Sequence, residues 1–232
     1  MALVQYGGGV LDMRGSIGGQ VHSRNRYGNY TRARTTPVNP QTNRQSEIRT
    51  IIQQLAQDWS TLLTATQRAL WEVYAANITR TNKLGAQIKL TGFNHFIRSN
   101  AFILQNGLTQ VNAGPGTLTL PGGDPAFACE VDVATQMIAV TFDDTLPWAV
   151  SDSAAGLGVY MSLPHSSAVN FIAGPYRRAG TIDAVGGPPA SPVNIATPYP
   201  VSLNQQVKCK ARIVRGDGRL SDPFLHQSAV IA

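Results

Sequence analysis

The residues best suited to chemistry in this sequence are arginines and tyrosines that lie close together near the N-terminus. Arginine binds phosphate oxygens, and aromatic rings stack on nucleic-acid bases. The same two residue types are enriched at the centres of protein interfaces. The pattern therefore predicts a surface that binds protein or nucleic acid, and composition alone does not distinguish the two. The residues of this surface are Arg24, Arg26, Tyr27, Tyr30, Arg32 and Arg34.

The rest of the sequence shows no recognisable catalytic or metal-binding motif. Its four histidines are scattered, without the close spacing that metal ligands use. No Gly-x-Ser-x-Gly motif marks a nucleophilic serine. The glycine clusters at 7–9 and 18–19 lack the Gly-Lys-Ser/Thr that completes a phosphate-binding loop. We therefore expect a protein that is not an enzyme and that uses no cofactor and no metal.

The two cysteines are far apart in sequence. Cys129 and Cys209 are separated by 80 residues, and neither belongs to a Cys-x-x-Cys pair. We expect two buried free thiols. A disulfide requires Cα atoms within roughly 7 Å, and the sequence leaves open whether neighbouring strands bring the pair that close.

Charge is sparse overall and concentrated in the first half of the chain. Charged residues make up 14% of the sequence, against roughly 25% in a typical soluble domain. Residues 1–113 hold twelve basic and four acidic residues, a net charge of +8, whereas residues 114–232 carry −2. No apolar run reaches the roughly 18 residues of a membrane span, and the start lacks the pattern of a signal peptide. We expect a folded protein that does not enter a membrane.

Residues 1–45 are predicted to form an extended basic arm. From Gln20 onward, apolar or small residues alternate with polar and charged ones, which predicts a β-ribbon that turns near residues 27–29.

Residues 46–107 are predicted to be helical. Apolar side chains recur with the spacing of one helix face, and two threonines precede a glutamine by three residues, which is the spacing of a capping box. The short connection between the first two helices predicts a helical hairpin with Trp59 and Trp71 in its core. The predicted helices begin after Thr42, after Thr64 and at Thr91.

The pattern changes in the second half. Residues 108–125 are rich in glycine and proline and are predicted to be a linker. Residues 126–232 show a period of two, which predicts an antiparallel β-sandwich of the immunoglobulin or fibronectin type III kind. The predicted fold class is therefore α+β. The predicted strands are 128–133, 137–142, 158–163, 180–185, 199–203, 207–214 and 225–231.

Residues 16–100 resemble a group of uncharacterised virion structural proteins encoded by tailed bacteriophages and prophages. The similar segments are SIGGQVHSRNRYGNYTRARTTPVNPQTNRQ, LTATQRALWEVYA and LTGFNHFIRSN. The residues that carry the resemblance are Gly18, Gly19, Ser23, Arg24, Arg26, Gly28, Tyr30, Arg32, Arg34, Pro37, Asn39, Pro40, Thr42, Gln45, Trp59, Leu63, Thr64, Gln67, Arg68, Trp71, Leu90, Thr91, Gly92, Phe93 and Asn94. The C-terminal sandwich resembles the immunoglobulin-like modules that phages attach to many virion proteins.

The resemblance implies a structural subunit of a virion, assembled in the host cytoplasm, as a capsid-decoration or tail protein. Its partners would be capsid or tail subunits and copies of itself, contacted through the basic arm. A basic arm that adds a strand to a neighbour is consistent with this role, because main-chain hydrogen bonds supply the contact.

Two alternatives stay open from the sequence. The arm, through its arginines and tyrosines, is also suited to nucleic acid. The sandwich loops 164–170 and 215–219 are suited to a host-surface adhesin. The second loop contains Arg215-Gly216-Asp217, but an Asp-Gly pair between two strands is first of all predicted to be a hairpin turn.

Overall fold

The computed structural model describes residues 2–36, 38–169 and 171–231. Pro37, which carries part of the resemblance, and Asn170, the end of one predicted loop, lie outside this range, as do Met1 and Ala232 of the predicted domains. The chain is α+β, as predicted, with a small N-terminal sheet, three long helices and a large, mostly antiparallel sheet. Within the described residues, no helix is long and apolar enough to cross a membrane.

The N-terminal sheet has four short antiparallel strands in the order β1-β4-β3-β2. Strands β3 and β4 form the predicted hairpin, and Gly28 follows its turn with a φ of 119° that favours glycine. The hairpin prediction is therefore confirmed. The strands are β1 (Ala2–Leu3), β2 (Gly15–Ile17), β3 (Gln20–Asn25) and β4 (Gly28–Ala33).

The helices begin where their caps were predicted. Thr64 and Gln67 form a complete capping box, in which each side chain binds the other residue's backbone N–H. At Thr42 only half of the box forms, because its hydroxyl accepts from the Gln45 N–H without the return bond. The elements are α1 (Asn43–Thr61), α2 (Ala65–Asn77), the short hairpin β5 (Thr79–Thr81) and β6 (Gln87–Lys89), and α3 (Gly92–Gln105).

The core of the helical part forms around α3. Both α1 and α2 pack against α3, so the third helix mediates the contact that was predicted for a two-helix hairpin. Trp59 and Trp71 each contact Phe96, with ring centroids 5.4 and 5.8 Å away. The two tryptophans thus share a core, as predicted, through a residue of α3.

The large sheet follows the order β11-β9-β13-β14-β7-β8-β12, with β10 beside β13. Of its pairings, β14 with β7 is parallel and the others are antiparallel. The sheet curves into a near-barrel in which β11 and β12 approach each other. Besides the short helix α4 (Pro147–Val150), the elements are β7 (Ala128–Asp132), β8 (Met137–Thr141), β9 (Gly156–Ser162), β10 (His165–Ser166), β11 (Tyr176–Asp183), β12 (Val193–Ala196), β13 (Gln205–Val214) and β14 (Phe224–Ile231).

One predicted strand is wrong. Residues 199–203 form no strand, and β12 lies at Val193–Ala196 instead. Pro198 and Pro200 have no N–H to donate to a sheet. Val201 is buried for a different reason, since the Gln136 side chain bonds to its backbone N–H and C=O at 2.9 and 3.0 Å.

A second strand begins earlier than predicted. The sequence predicted residues 180–185, but β11 starts at Tyr176. A break in register between Arg178 and Gly180 marks a β-bulge, which interrupts the alternation that the prediction relied on.

Residues 108–125, predicted to be a linker, contain no helix or strand but pack closely on the helices. The indole N–H of Trp71 donates to the Asn112 carbonyl at 2.9 Å, and the Asn100 side chain bonds twice to the Val111 backbone. Phe102, Ile103, Val214 and Leu220 form a buried cluster between α3 and the large sheet. The helical part and the sheet therefore share a continuous interface.

Candidate functional site

The six residues of the predicted binding surface all belong to the N-terminal sheet or its margin. Arg24 is on β3, the turn holds two of them, β4 holds two, and Arg34 follows β4 directly. The turn residues are Arg26 and Tyr27, and the β4 residues are Tyr30 and Arg32.

The strand register distributes these residues over both faces of the sheet. Directly opposite residues in an antiparallel pair share a face. Arg24 is opposite Asn29, whereas Tyr30 is opposite Ser23 and Arg32 is opposite Val21. Because successive residues of a strand point to opposite faces, Arg24 lies on one face and Tyr30 and Arg32 lie on the other. The structure therefore separates Arg24 from Arg32.

The turn attaches the N-terminal sheet to the helical part. Arg26 Nη1 donates to the Lys89 carbonyl at 3.1 Å, and the Asn82 side-chain amide donates to the Tyr27 carbonyl at 2.8 Å. Beneath the turn is an open pocket of about 440 Å³, lined in part by Phe93 and Arg98. The Arg26 side chain and the Tyr27 carbonyl thus hold the sheet to its own chain.

The N-terminal sheet has no core of its own. None of the described residues between 2 and 36 is buried. Leu11 is 95% exposed and Ile17 is 65% exposed. Among the described residues, Arg24, Arg26, Arg32 and Arg34 form no ion pair. The sheet therefore presents uncovered apolar groups and unneutralised positive charge.

The face that carries Tyr30 and Arg32 has a weakly apolar centre. Leu3 is opposite Tyr30, and Val21 is opposite Arg32, so that these four side chains lie on one face. Leu3, Val21 and Tyr30 are half-buried, and Arg32 is exposed. We call this face the docking face.

A second cationic cluster lies at the junction of the helices with the large sheet. The sequence pattern did not predict it. Arg80 forms an ion pair with Asp222, and Arg98 Nη2 lies 3.8 Å from the same carboxylate. Burial, and then the Arg80 charge, lowers the pKa of Arg98 to about 10, and Arg212 adds to the repulsion. These residues come from β5, α3 and β13, so sequence spacing gives no signal for their meeting.

His95 lies beside this cluster and is fully buried. Its ring packs edge-on to Tyr74 with centroids 5.3 Å apart, and neither ring nitrogen has a hydrogen-bond partner among the described residues. Burial, followed by the charges of Arg98 and Arg80, lowers its pKa to about 4. His95 is therefore neutral at physiological pH.

The two cysteines meet inside the large sheet, on β7 and β13. Both are fully buried free thiols, as predicted. A hydrogen bond between the thiols, together with burial, raises the pKa of Cys129. His226, opposite Cys209 in the sheet, accepts the Cys129 backbone N–H at Nδ1. The Cys129 thiol therefore stays protonated in this setting.

The Arg-Gly-Asp segment is the predicted hairpin turn. The Arg215 N–H donates to the Arg219 carbonyl, and Gly218 has a φ of 89°. Arg215 pairs with Asp152 at 2.8 Å, and Arg219 pairs with Asp217 at 2.7 Å. Both arginines are thus engaged within the chain.

Nothing in the comparisons with known proteins adds to this geometry. In the part of the chain that the structure describes, no three His, Cys, Asp or Glu side chains lie close enough to hold a metal ion. No protein-family model matches the chain, and no curated protein is significantly similar to it.

Proposed function

We propose that this chain is a non-enzymatic structural subunit of a bacteriophage particle. Its N-terminal sheet docks on neighbouring capsid or tail subunits, including copies of itself. The resemblance of residues 16–100 to phage virion proteins supports the proposal. The observation that carries it is the uncovered N-terminal sheet, attached to the rest of the chain at its turn.

A sheet without a buried residue needs a partner. Small isolated sheets are marginally stable in water, because they bury too little apolar surface to offset the entropy of ordering the strands. The edge strands β1 and β2 also leave backbone groups unpaired on their outer sides. A neighbouring subunit would cover the sheet and supply these bonds.

The docking face suits a protein partner. Its centre combines Leu3, Val21 and Tyr30, and Arg32 stands exposed at its rim. An apolar and aromatic centre with charge at the rim is the composition of a protein interface. The expected surface on the neighbour has an apolar patch bordered by carboxylates.

The alternatives have less support. Arg24 and Arg32 lie on opposite faces, so the arm offers no single cationic surface for nucleic acid. In the turn at 215–219 both arginines are paired within the chain, which disfavours that loop as a receptor contact.

We further propose that the large sheet is an immunoglobulin-like sandwich. Two groups of strands support this, β7-β8-β12 and β11-β9-β13-β14. In chain order they correspond to strands A-B-E and C′-C-F-G of that fold. The junction strand β14 pairs with β13 up to Ala229 and then with β7 from Val230. An experimental structure of the full chain with β11 and β12 hydrogen-bonded would indicate a closed barrel instead.

Particle incorporation tests the role of the docking face. The double variant Tyr30→Ser, Arg32→Glu removes an aromatic contact and reverses a charge on that face. We expect its amount in purified particles to fall at least about tenfold, since interface hot spots of this type contribute 2 kcal/mol or more. Arg24→Glu, on the opposite face, is the matched control and should be incorporated normally.

Circular dichroism of the free proteins would establish that both variants fold. Normal incorporation of the double variant would contradict the proposal, and so would equal loss in both variants, because the loss would then reflect net charge alone.

A further inference from the structure

A second, better organised set of cations lies on the outer face of the large sheet. In β13, Val207, Cys209 and Ala211 point into the core and are fully buried. The residues between them point outward, and they are basic. We call the outward-facing cations of β13 and their neighbours the basic sheet face, formed by Arg44, Arg178, Lys208 and Lys210.

Three side chains form a row across the strands. Arg178 on β11 is opposite Tyr160 on β9, and Tyr160 is opposite Lys210 on β13. Lys210 Nζ lies 4.4 Å from the ring centroid of Tyr176 and 5.3 Å from that of Tyr160. Two aromatic rings, rather than a carboxylate, hold this ammonium in place, so no negative charge neutralises it. Its positive charge therefore stays available to a ligand.

The start of α1 adds a cation to this face. Arg44 lines an open cleft of about 480 Å³ together with Arg177 and Arg178. Arg178 is held in place by Asn106 Oδ1 at 2.9 Å and by Thr181 Oγ1 at 2.8 Å. The helical part and the large sheet thus contribute cations to one surface.

The cations of this face lack acidic partners. None of the four forms an ion pair within residues 2–36, 38–169 and 171–231. Elsewhere the chain does pair its arginines, as at Arg80, Arg215 and Arg219. Unpaired cations on one face mark the electrostatic footprint of a polyanion-binding surface.

We propose that the basic sheet face binds the phosphate backbone of nucleic acid. The inference is independent of the proposed docking of the N-terminal sheet. Lys208 and Lys210 lie about 7 Å apart on one strand, and Arg178 extends this row across Tyr160. Because Lys210 occupies the faces of both tyrosines, phosphate contacts, rather than base stacking, are expected to dominate. Such binding depends little on sequence.

The composition favours nucleic acid over an acidic protein. Protein interface cores are depleted in lysine and contain large apolar anchors. Here the exposed apolar neighbour of the row is Leu225, opposite Lys210. Leu11 and Ile17 on the N-terminal segment are more exposed than Leu225.

Fluorescence anisotropy with the full chain and a labelled DNA duplex of about 20 base pairs tests the proposal over roughly 50 to 200 mM salt. The face variant Arg44→Gln, Lys208→Gln, Lys210→Gln removes three exposed or half-buried charges that make no ion pair. We expect affinity to fall at least about tenfold near 100 mM salt and the log–log salt slope to shrink by about 3. The control variant Arg14→Gln, Arg49→Gln, Lys83→Gln removes three exposed cations elsewhere and should bind like the unmodified chain.

Several results would overturn the proposal. These are no binding by the unmodified chain near 50 mM salt, equal loss in the face and control variants, and competition by polyglutamate as strong as that by DNA. A variant that keeps the charge, Arg44→Lys, Lys208→Arg, Lys210→Arg, should bind normally. Its failure to bind would show that lost charge does not explain the face variant.

Discussion

At the scale of single residues, Asp222 is a counter-ion shared by several arginines. Arg80 and Arg98 both pair with its carboxylate, and the charge of Arg212 is close enough to influence both arginines. One carboxylate therefore offsets the repulsion among three guanidinium groups at the junction of the helices with the large sheet. Removing a shared counter-ion leaves charges that burial makes costly.

We expect Asp222→Asn to lower the free energy of unfolding by about 1–2 kcal/mol. The figure is smaller than for a fully buried pair because the Asp222 side chain is 59% exposed, so that solvent screens part of the interaction. Urea unfolding measures the change. Asp144→Asn is the matched control, since Asp144 is exposed and pairs with no described residue. Equal stability of the two variants would contradict the role of Asp222.

His95 predicts a pH dependence of stability. Its pKa is about 4 in the folded chain, against about 6.5 for an unperturbed histidine, so the unfolded chain binds the proton more readily. Stability is therefore expected to decline as the pH falls from about 6.5 to 4, by at most about 3 kcal/mol from this residue. His95→Phe keeps a ring beside Tyr74 without titrating. Unfolding measured between pH 7 and 4 should show a shallower decline for His95→Phe, and an unchanged decline would contradict the prediction.

At the scale of elements, local signals predicted the helix starts and the hairpin turns because the bonds that make them join residues close in sequence. Thr64 caps α2 by bonding to Gln67, three residues later. Asp217 and Gly218 form the hairpin turn that follows β13. The prediction of a strand at 199–203 was wrong because the burial of Val201 depends on hydrogen bonds to Gln136, which is 65 residues away. The alternation of apolar and polar residues alone does not distinguish a strand from a loop that a distant side chain holds in place.

The two caps predict different costs of truncation. Thr64→Ala removes the hydroxyl that accepts from the Gln67 N–H and donates to Gln67 Oε1, and it should lower the free energy of unfolding by about 1 kcal/mol. Thr42→Ala removes one bond of 3.3 Å at an exposed end and should cost less. Thermal unfolding of the two variants compares them directly. A larger loss for Thr42→Ala would contradict the assignment of the complete capping box to Thr64.

At the scale of the whole molecule, the helices and the large sheet share a packed junction. Phe102 of α3 lies against Gly158 of β9, where an added Cβ would come within 2.4 Å of the Phe102 ring. Asn106 at the end of α3 accepts from both Arg178 and Thr181. The segment predicted to be a linker is packed over Trp71. These contacts predict that the two parts unfold together, whereas the N-terminal sheet, without a core, opens first.

Phe102→Ala tests this coupling. The variant should lose about 3–4 kcal/mol, because it leaves a cavity at the junction. Urea unfolding of the unmodified chain, followed by helix circular dichroism and by tryptophan fluorescence, should give coincident curves. Two separate transitions in the unmodified chain would show that the helical part and the sheet unfold independently.

The sequence by itself determined the α+β class, the hairpin of β3 and β4, the helix caps and most strands of the large sheet. Each of these depends on hydrogen bonds and side-chain periods among near neighbours in the chain. Only the three-dimensional packing shows that Arg24 and Arg32 point to opposite faces, that Asp222 pairs with Arg80 and Arg98, and that Arg44 lies beside the cations of β11. These groupings depend on strand register and on packing between residues up to 142 positions apart, which local patterns do not encode.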